Sequence, residues 1–513
     1  MTDRYFDWYN GSDSNNGLSP ATAKQSYDAY AQGAMNPGDR FLFKRGSPQI
    51  ITTANTGAKV GSSDTARSVY GAYGEAQVPY AFVYNPSGVG NMILNVSGRS
   101  YIDFEDLYFD GLDVCQYSLY TFASGATACV GHRISRCYFT RMKSGEAGLV
   151  VGGTATSTGD VSDFLVEDSH FFGNPGHGML VNGANGIRIR RNKFYWNGAD
   201  AQFGAHGFSA KARRTDATSG WTNTSGTIWQ RNLVAYETAV YYVKSSLSPY
   251  QRLNLAAGTQ TAPGLGEYGV SSGVLYVNIG TNPTSQGINY AWGRCYNLEL
   301  EDNESWGNVA DPRSPSTEGH GFAFDDYTEL SVLRGNLSHG NAGAGYSVNR
   351  GDNNTLESNI AYLNGLSGIV GAACKNTKIQ HNTLFDNNRG PNPFNGEIVA
   401  FTYADLDITN NILKRGSARR RYAVDVDSTC TLSGDTNCAH GYEQIERGSN
   451  LLGTITDDPL LDDDFRPRAP SLIRAGSFVG GRDFNGKTRY NPPNIGAVED
   501  LSATQRKVLA RTA

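Results

Sequence analysis

The sequence predicts an all-β chain wound as a single-stranded parallel β-helix, and three observations carry that reading. A short pattern recurs between about residue 161 and residue 416: alternating apolar residues, an Asn, and a second Asn five positions later. Copies include IRIRRNKFYWN (Ile187 to Asn197), LELEDNESWGN (Leu298 to Asn308), TLESNIAYLN (Thr355 to Asn364) and KIQHNTLFDN (Lys378 to Asn387). The leading Asn falls at Asn192, Asn232, Asn303, Asn336, Asn359, Asn382 and Asn411, with Ser169 in the same column. A spacing of 23 residues separates Ser169 from Asn192, Asn336 from Asn359 and Asn359 from Asn382, and longer intervals imply loops inserted into the same unit. Within each copy the alternation has period two, so the unit is strand, turn, strand. Two or three short strands in about 23 residues make one coil of a β solenoid.

Asn suits such a column. It tolerates left-handed backbone at a turn, its side chain bonds nearby backbone, and its amides can form a ladder when stacked one strand spacing apart. Composition agrees: Gly at 61 of 513 residues suits a chain full of turns. With 44 basic against 49 acidic residues and no basic block, no nucleic-acid partner is expected. No apolar run approaches membrane-spanning length, and MTDRYFDWYNGSDS lacks an apolar signal region, so neither a membrane span nor a secretory signal is expected. Seven cysteines (Cys115, Cys129, Cys137, Cys295, Cys374, Cys430 and Cys438) are an odd count without metal-ligand spacing and read as small buried residues. Cys430 and Cys438 bracket a short polar loop, and a disulfide between them stays open.

In chain order, residues 1–50 read as an N-terminal cap with a short helix near Ser26 to Gln32 and a Pro-Gly-Asp turn into a strand. Residues 51–450 read as the β-helix, interrupted by a polar loop at 212–226 and a longer insertion at 245–290. Within the latter, EYGVSSGVLYVNIGTNP reads as a β-hairpin turning at Ser271-Ser272-Gly273. Residues 451–513 read as a C-terminal capping segment, ending in a polar helical tail capped at Ser502 or Thr504.

The segments GSDSNNGLSPAT (Gly11 to Thr22), PGDRFLFKRG (Pro37 to Gly46), GAYG (Gly71 to Gly74), DDPLLDDDFRP (Asp457 to Pro467) and NIGAVE (Asn494 to Glu499) resemble the opening and closing segments of right-handed parallel β-helix proteins. That superfamily, pectate-lyase-like, holds polysaccharide lyases, hydrolases, epimerases and phage tailspikes. The resemblance spans both ends and the repeats. It implies the right-handed fold and a polysaccharide ligand, and leaves the reaction open.

A second register begins one strand earlier in each coil: HGMLVNG (His177), HGFSAKARR (His206), HGFAFDDY (His320), AGYSVNRGD (Ala344) and SGIVGAACK (Ser367). With Met179, Phe208, Phe322, Tyr346 and Ile369 inward, an outward column holds Asn182, Lys211, Asp325, Asn349 and Ala372. Lys244, in AVYYVKSS, is read into the same column, and Arg213, Asp326, Arg350 and Asp352 into the adjoining turns. The result is a charged strip beside both insertions and near His206, Glu318 and His320. His before Gly recurs, which favours a turn-packing role for His177.

Two chemistries could use the strip. Glycoside hydrolysis needs two carboxyl groups, and Asp325, Asp326, Glu318 and Asp352 are the candidates; Asp325 and Asp326 pair only if the strand turns there. Elimination from an acidic sugar needs a base and a cation, which Lys211 or Lys244, His206 or His320, and Arg350 could supply, with Tyr241, Tyr242 or Tyr327 as proton donor. Arg213, Arg350, Asp352, Lys244, Tyr327 and Trp221 are the expected substrate contacts. Of Trp196, Trp221, Trp229, Trp292 and Trp306, Trp221 is favoured as a sugar platform because it sits in a polar insertion. No cofactor is expected; Asp-rich loops leave calcium open, but no motif indicates it.

These readings converge on a glycan depolymerase of the tailspike kind, carried on a virion or released outside the cell and acting on a bacterial surface polysaccharide. A non-catalytic structural or receptor-binding virion protein on the same scaffold is the alternative, and a secreted bacterial lyase or epimerase a third. The tailspike resemblance further implies other tail proteins as partners and a homotrimer as one oligomeric option.

Overall fold

The computed structural model describes residues 2–499, except 32–35, 55, 76–77, 125, 144–146, 154–159, 200–204, 218, 234–236, 238–239, 241, 246–250, 287, 310–317, 391–395, 418–420, 448–450, 452 and 478. The expected helical tail lies outside the described residues, as do Tyr241 and the side chains of Tyr242, Lys244 and Trp292. Two compact units divide the chain: Met1–Arg188 with Ser209–Leu298 and Phe324–Glu329, and Ile189–Phe208 with Glu299–Ala323 and Leu330–Ala513.

The first unit is a parallel β-helix with three sheets. One pairs Asp3–Phe6, Arg40–Lys44, Ser68–Tyr73, Ile102–Glu105, Arg133–Ser135 and Leu165–Glu167 in that order. The second pairs Gln49–Ile50, Ala81–Tyr84, Leu107–Asp110, Tyr138–Thr140 and His170–Phe172. The third pairs Met92–Asn95, Tyr117–Ala123, Leu149–Gly153 and Met179–Asn182. Aligned positions Asp103, Arg133 and Leu165 are 30 (133 − 103) and 32 (165 − 133) residues apart, so these coils are longer than the expected 23. Every second residue points inward, and Phe109, Phe139 and Phe171 stack with ring centroids 5.2 and 4.9 Å apart. The expected cap helix is the five-residue Tyr27–Ala31. Its fully buried Tyr27 packs among Phe6, Phe41, Phe43 and Tyr70, with the Tyr27 and Tyr70 hydroxyls 2.7 Å apart.

The hairpin at Ser271 to Gly273 forms as read: Glu267–Ser271 pairs antiparallel with Val274–Asn278, and Ser272 and Gly273 are both left-handed. The two expected insertions, however, are not separate loops. Thr222–Ser225 and Ile228–Asn232 join that hairpin in one antiparallel sheet, while Arg213–Ala217, Ile288–Gly293 and Tyr242–Ser245 share another. A buried cluster of Val243, Leu253, Tyr268, Leu275, Val277, Ile288 and Tyr290 gives the excursion its own core. Asn232 therefore leaves the predicted column; it is an exposed residue paired with Val274.

The second unit repeats the plan. Its first sheet runs Glu299–Glu301, Val332–Arg334, Thr355–Glu357, Thr377–Gln380, Asp405–Thr409 and Thr431–Ser433. The second sheet runs Lys193–Tyr195, Glu304–Trp306, Leu337–His339, Ile360–Tyr362, Thr383–Phe385, Ile412–Lys414 and Cys438–His440. The third runs Tyr346–Asn349, Ile369–Ala372, Ile398–Phe401, Tyr422–Val426 and Gln444–Arg447.

Between the first two sheets stands the Asn ladder. From Asn192 through Asn303, Asn336, Asn359, Asn382 and Asn411 to Asn437, each side-chain oxygen accepts the backbone N–H and the Nδ2–H of the preceding Asn at 2.8–3.1 Å. Every member is thereby satisfied in the buried turn. A parallel ladder links Asn197, Asn308, Asn341, Asn364 and Asn387, and ends on Glu397, which accepts from Asn387 N at 3.1 Å and Nδ2 at 2.6 Å. Burial pushes the Glu397 carboxyl up to about 7, against the pull of the Asn387 bonds.

The C-terminal segment folds back over the outward face of this second sheet. Phe484, Ala497 and Val498 cover Leu337 and Ile360, while Leu472 and Ile495 cover Ile412 and Cys438. A buried pair, Arg489 and Glu499 at 2.9 Å, fixes the segment, and Arg489 also donates to Ser358 Oγ at 2.8 Å. All seven cysteines are thiols, so Cys430 and Cys438 are not bridged: the Cys430 thiol turns to Asp427 and the Cys438 thiol to the Asp457 carbonyl.

Candidate functional site

In the first unit residues 209–211, the end of the strand Phe208–Lys211, lead to a half-exposed Lys211. The Ala210 carbonyl accepts the Asp325 backbone N–H at 2.7 Å and the Thr328 hydroxyl at 2.8 Å, and the Asp326 carbonyl accepts from Ala212 N at 2.8 Å. The chain turns at this point: Asp326 has φ 24°, Tyr327 φ 67°, and Thr328 N closes onto the Asp325 carbonyl at 3.1 Å. The turn meets the condition for pairing that a straight strand would have denied. Both Asp325 and Asp326 are half-exposed, and the Ser209 hydroxyl donates to Asp325 Oδ2 at 3.3 Å. The Arg213 side chain lies against Gly183 and Gly293, where a Cβ at either position would collide with it. Half-exposed Asp325 and Asp326 are therefore bonded through their backbone to the strand end that carries Lys211 and Arg213.

Three expected members do not join it. Lys244 sits in the antiparallel strand Tyr242–Ser245, paired with Asn289 and Arg252, because the stretch around it belongs to the excursion and not to a coil. Tyr327 is fully buried, since the left-handed turn rotates it inward, which removes it as a substrate contact or proton donor. Trp221 packs on the excursion's core and donates its indole N–H to the Ala217 carbonyl at 3.0 Å, so it is a packing residue and not a bare platform.

In the second unit, His206, Glu318 and His320 come together. The two rings stack with centroids 4.8 Å apart. His206 Nδ1 accepts the His320 backbone N–H at 3.2 Å, and His320 Nδ1 accepts the Ala344 N–H at 2.8 Å. When neutral, each ring then carries its proton on Nε2, and that of His206 faces Glu318 Oε2 at 3.2 Å. Both histidines are thus built into a turn ladder, the role expected of His177, and Glu318 is the more exposed group, its side chain 28 % accessible. Arg350 and Asp352 lie in a turn of the same unit. Arg350 is left-handed and half-exposed. Asp352 is buried, and its Oδ1 accepts the Lys375 N–H at 3.0 Å, so it caps the turn and is not an exposed carboxylate. Among the described residues, no group of three or more His, Cys, Asp or Glu could hold a metal ion, and no helix is long and apolar enough to cross a membrane.

The sequence reading missed Ser209, whose hydroxyl lacks any motif, and Trp196, the most exposed of the described tryptophans at 60 %.

Residues 263–413 match the family model described as a right handed beta helix region. No curated protein matches the chain. Among solved structures, XylC in complex with xylose is similar with a TM-score of 0.56 at 10% identity, over 98% of this chain and 98% of that one. The A-module of mannuronan C-5 epimerase AlgE6 from Azotobacter vinelandii gives 0.50 at 14% identity, over 84% of this chain and 93% of that one. The AlgE4 A-module from the same organism gives 0.50 at 12% identity over the same shares. Together with the strand pairing, these establish the fold class as a right-handed parallel β-helix.

Proposed function

We propose that the protein binds and cleaves a polysaccharide at the Asp325–Asp326 turn. The observation that supports this reading is the left-handed turn itself, where half-exposed Asp325 and Asp326 bond through their backbone to the strand end that carries Ser209, Lys211 and Arg213. In hydrolysis one carboxyl protonates the leaving glycosidic oxygen and the other acts as base or nucleophile. In elimination from a uronate, Lys211 and Arg213 offset the sugar carboxylate while one aspartate takes the C5 proton, a C4–C5 double bond forms as the C4–O bond breaks, and the departing oxygen takes a proton from the other carboxyl. Two of the similar structures are mannuronan epimerases and one holds xylose, which is what brings sugars to this chain as a proposal. Carriage on a phage tail is a further part of this proposal and rests on the sequence reading alone.

A second reading, glycan binding without cleavage, is favoured by the two histidines: both Nδ1 atoms accept backbone N–H groups, which leaves fewer groups for acid–base work. Bacterial capsular, lipopolysaccharide and uronic-acid polysaccharides distinguish the readings when reducing ends and the ultraviolet absorbance of unsaturated uronate are followed together. Reducing ends without absorbance mean hydrolysis, and both signals mean a lyase. Retention of a glycan with neither signal means binding only.

A further inference from the structure

The second sheet of the second unit has two kinds of outward face. In one outward column, Leu337, Ile360, Thr383, Ile412 and Cys438 are buried under the C-terminal segment. In the two preceding coils the same column reads Lys193 and then Glu304, both half-exposed. The neighbouring outward column runs Tyr195, Trp306, His339, Tyr362 and Phe385, stacked at 4.5, 6.0, 4.9 and 5.1 Å. Phe465 closes it at the covered end, 5.6 Å from Tyr362. At the other end stands Trp196, edge-on to Tyr195 at 5.1 Å.

Trp196 occupies an exposed turn. Its φ is 55°, at a position that the following coils fill with Gly307, Gly340, Leu363 and Asp386, all left-handed. One side of the indole rests on Gly307, so close that a Cβ there would clash, and the side chain is 60 % exposed. The fold gains little burial from a tryptophan here, which is more exposed than Leu363 at the same turn position two coils beyond Gly307, and a large exposed aromatic is available to a ligand.

We propose that this uncovered end is a second glycan-binding site, with Trp196 as the platform for a pyranose ring and Lys193 and Glu304 as its polar edge. The charge pattern selects the occupant. Where the C-terminal segment covers this column it meets uncharged residues, Leu337, Ile360, Ile412 and Cys438 with Thr383 among them, and charged residues are depleted at the centre of protein interfaces. Here a base and an acid lie opposite each other in register, with Glu304 Oε1 held by His339 Nε2 at 3.2 Å. A sugar offers an apolar ring face for the indole and hydroxyls that both donate to a carboxylate and accept from an ammonium.

Affinity electrophoresis through gels cast with polymannuronate, xylan or dextran tests this with the full chain. Wild type is expected to be retarded by at least one, and Trp196→Ala to bind it about three- to tenfold more weakly. Trp196→Phe should recover part of the affinity, and the melting temperature should be unchanged. Equal retardation of wild type and Trp196→Ala, or no retardation of wild type by any of the three, overturns the proposal. So does a dimer that Trp196→Ala converts to monomer, since the occupant is then a second copy. Glycan binding through Trp196 does not require cleavage at Asp325, so an inactive chain that still binds through Trp196 refutes the proposed enzyme alone.

Discussion

Within one sheet of the second unit, the same strand register serves two ends. Under the C-terminal segment the outward column is Leu337, Ile360, Thr383, Ile412 and Cys438, uncharged throughout, and the covering segment is locked by a buried Arg489–Glu499 pair. Toward Lys193 and Glu304 it turns polar, and the aromatic column beside it ends on an exposed Trp196. The difference teaches that the repeat fixes only the inward residues and the Asn turns. What the outward residues become depends on what lies over them, so an outward aromatic with little lying over it is informative and a covered one is not.

The comparison can be broken hardest at the covered end. Arg489→Met leaves Glu499 charged and buried, and should cost about 3–5 kcal/mol in denaturant unfolding. Arg190→Ala, which removes half-exposed pairs with Glu299 and Glu301 near the uncovered end, should cost under about 1 kcal/mol. Equal losses would show that the segment does not seal the sheet. Phe484→Ala should come next, at about 3 kcal/mol or somewhat more, with increased binding of a hydrophobic dye as Leu337 and Ile360 open.

Glu397 supplies a pH test with a defined sign. Its carboxyl is raised by burial from 4.5 to about 7, so the folded state binds the proton more tightly than the unfolded chain. Its stabilising contribution is complete below pH 4.5 and falls away as pH rises through about 7, a loss of about 3 kcal/mol. Glu397→Gln keeps a partner for Asn387 and should flatten stability across that window; an unchanged pH profile would remove Glu397 as its source. The smallest effect is expected from Asn232→Ala, close to zero in unfolding, against about 1–3 kcal/mol for Asn359→Ala, which leaves the Leu333 carbonyl and Asn336 N–H buried without partners.

Those two asparagines also mark how far the sequence could be read. Asn359 was legible because a 23-residue pitch repeats the same turn and the ladder needs the same amide each time. Asn232 had the right local alternation, but period two is shared by parallel coils and antiparallel hairpins, and only the pairing separates them. Lys244 was misassigned for the same reason. Asn437 extends the ladder 26 residues beyond Asn411, yet the sequence reading ended the column at Asn411. At the candidate site, the inward column Met179, Phe208, Phe322, Tyr346 and Ile369 was read correctly, as their complete burial shows. The inward rotation of Tyr327 was not legible, because it follows from two consecutive left-handed residues that no motif announces. The return of the C-terminal segment over the sheet was equally hidden, being contact across a hundred residues and more.

The most direct test compares wild type with the Asp325→Asn, Asp326→Asn double variant on one polysaccharide, measuring cleavage and retention together with the melting temperature. The account predicts that cleavage falls by about a hundredfold or more while retention through Trp196 and the melting temperature hold. Cleavage that survives the double substitution undiminished would contradict it and move the chemistry away from this turn.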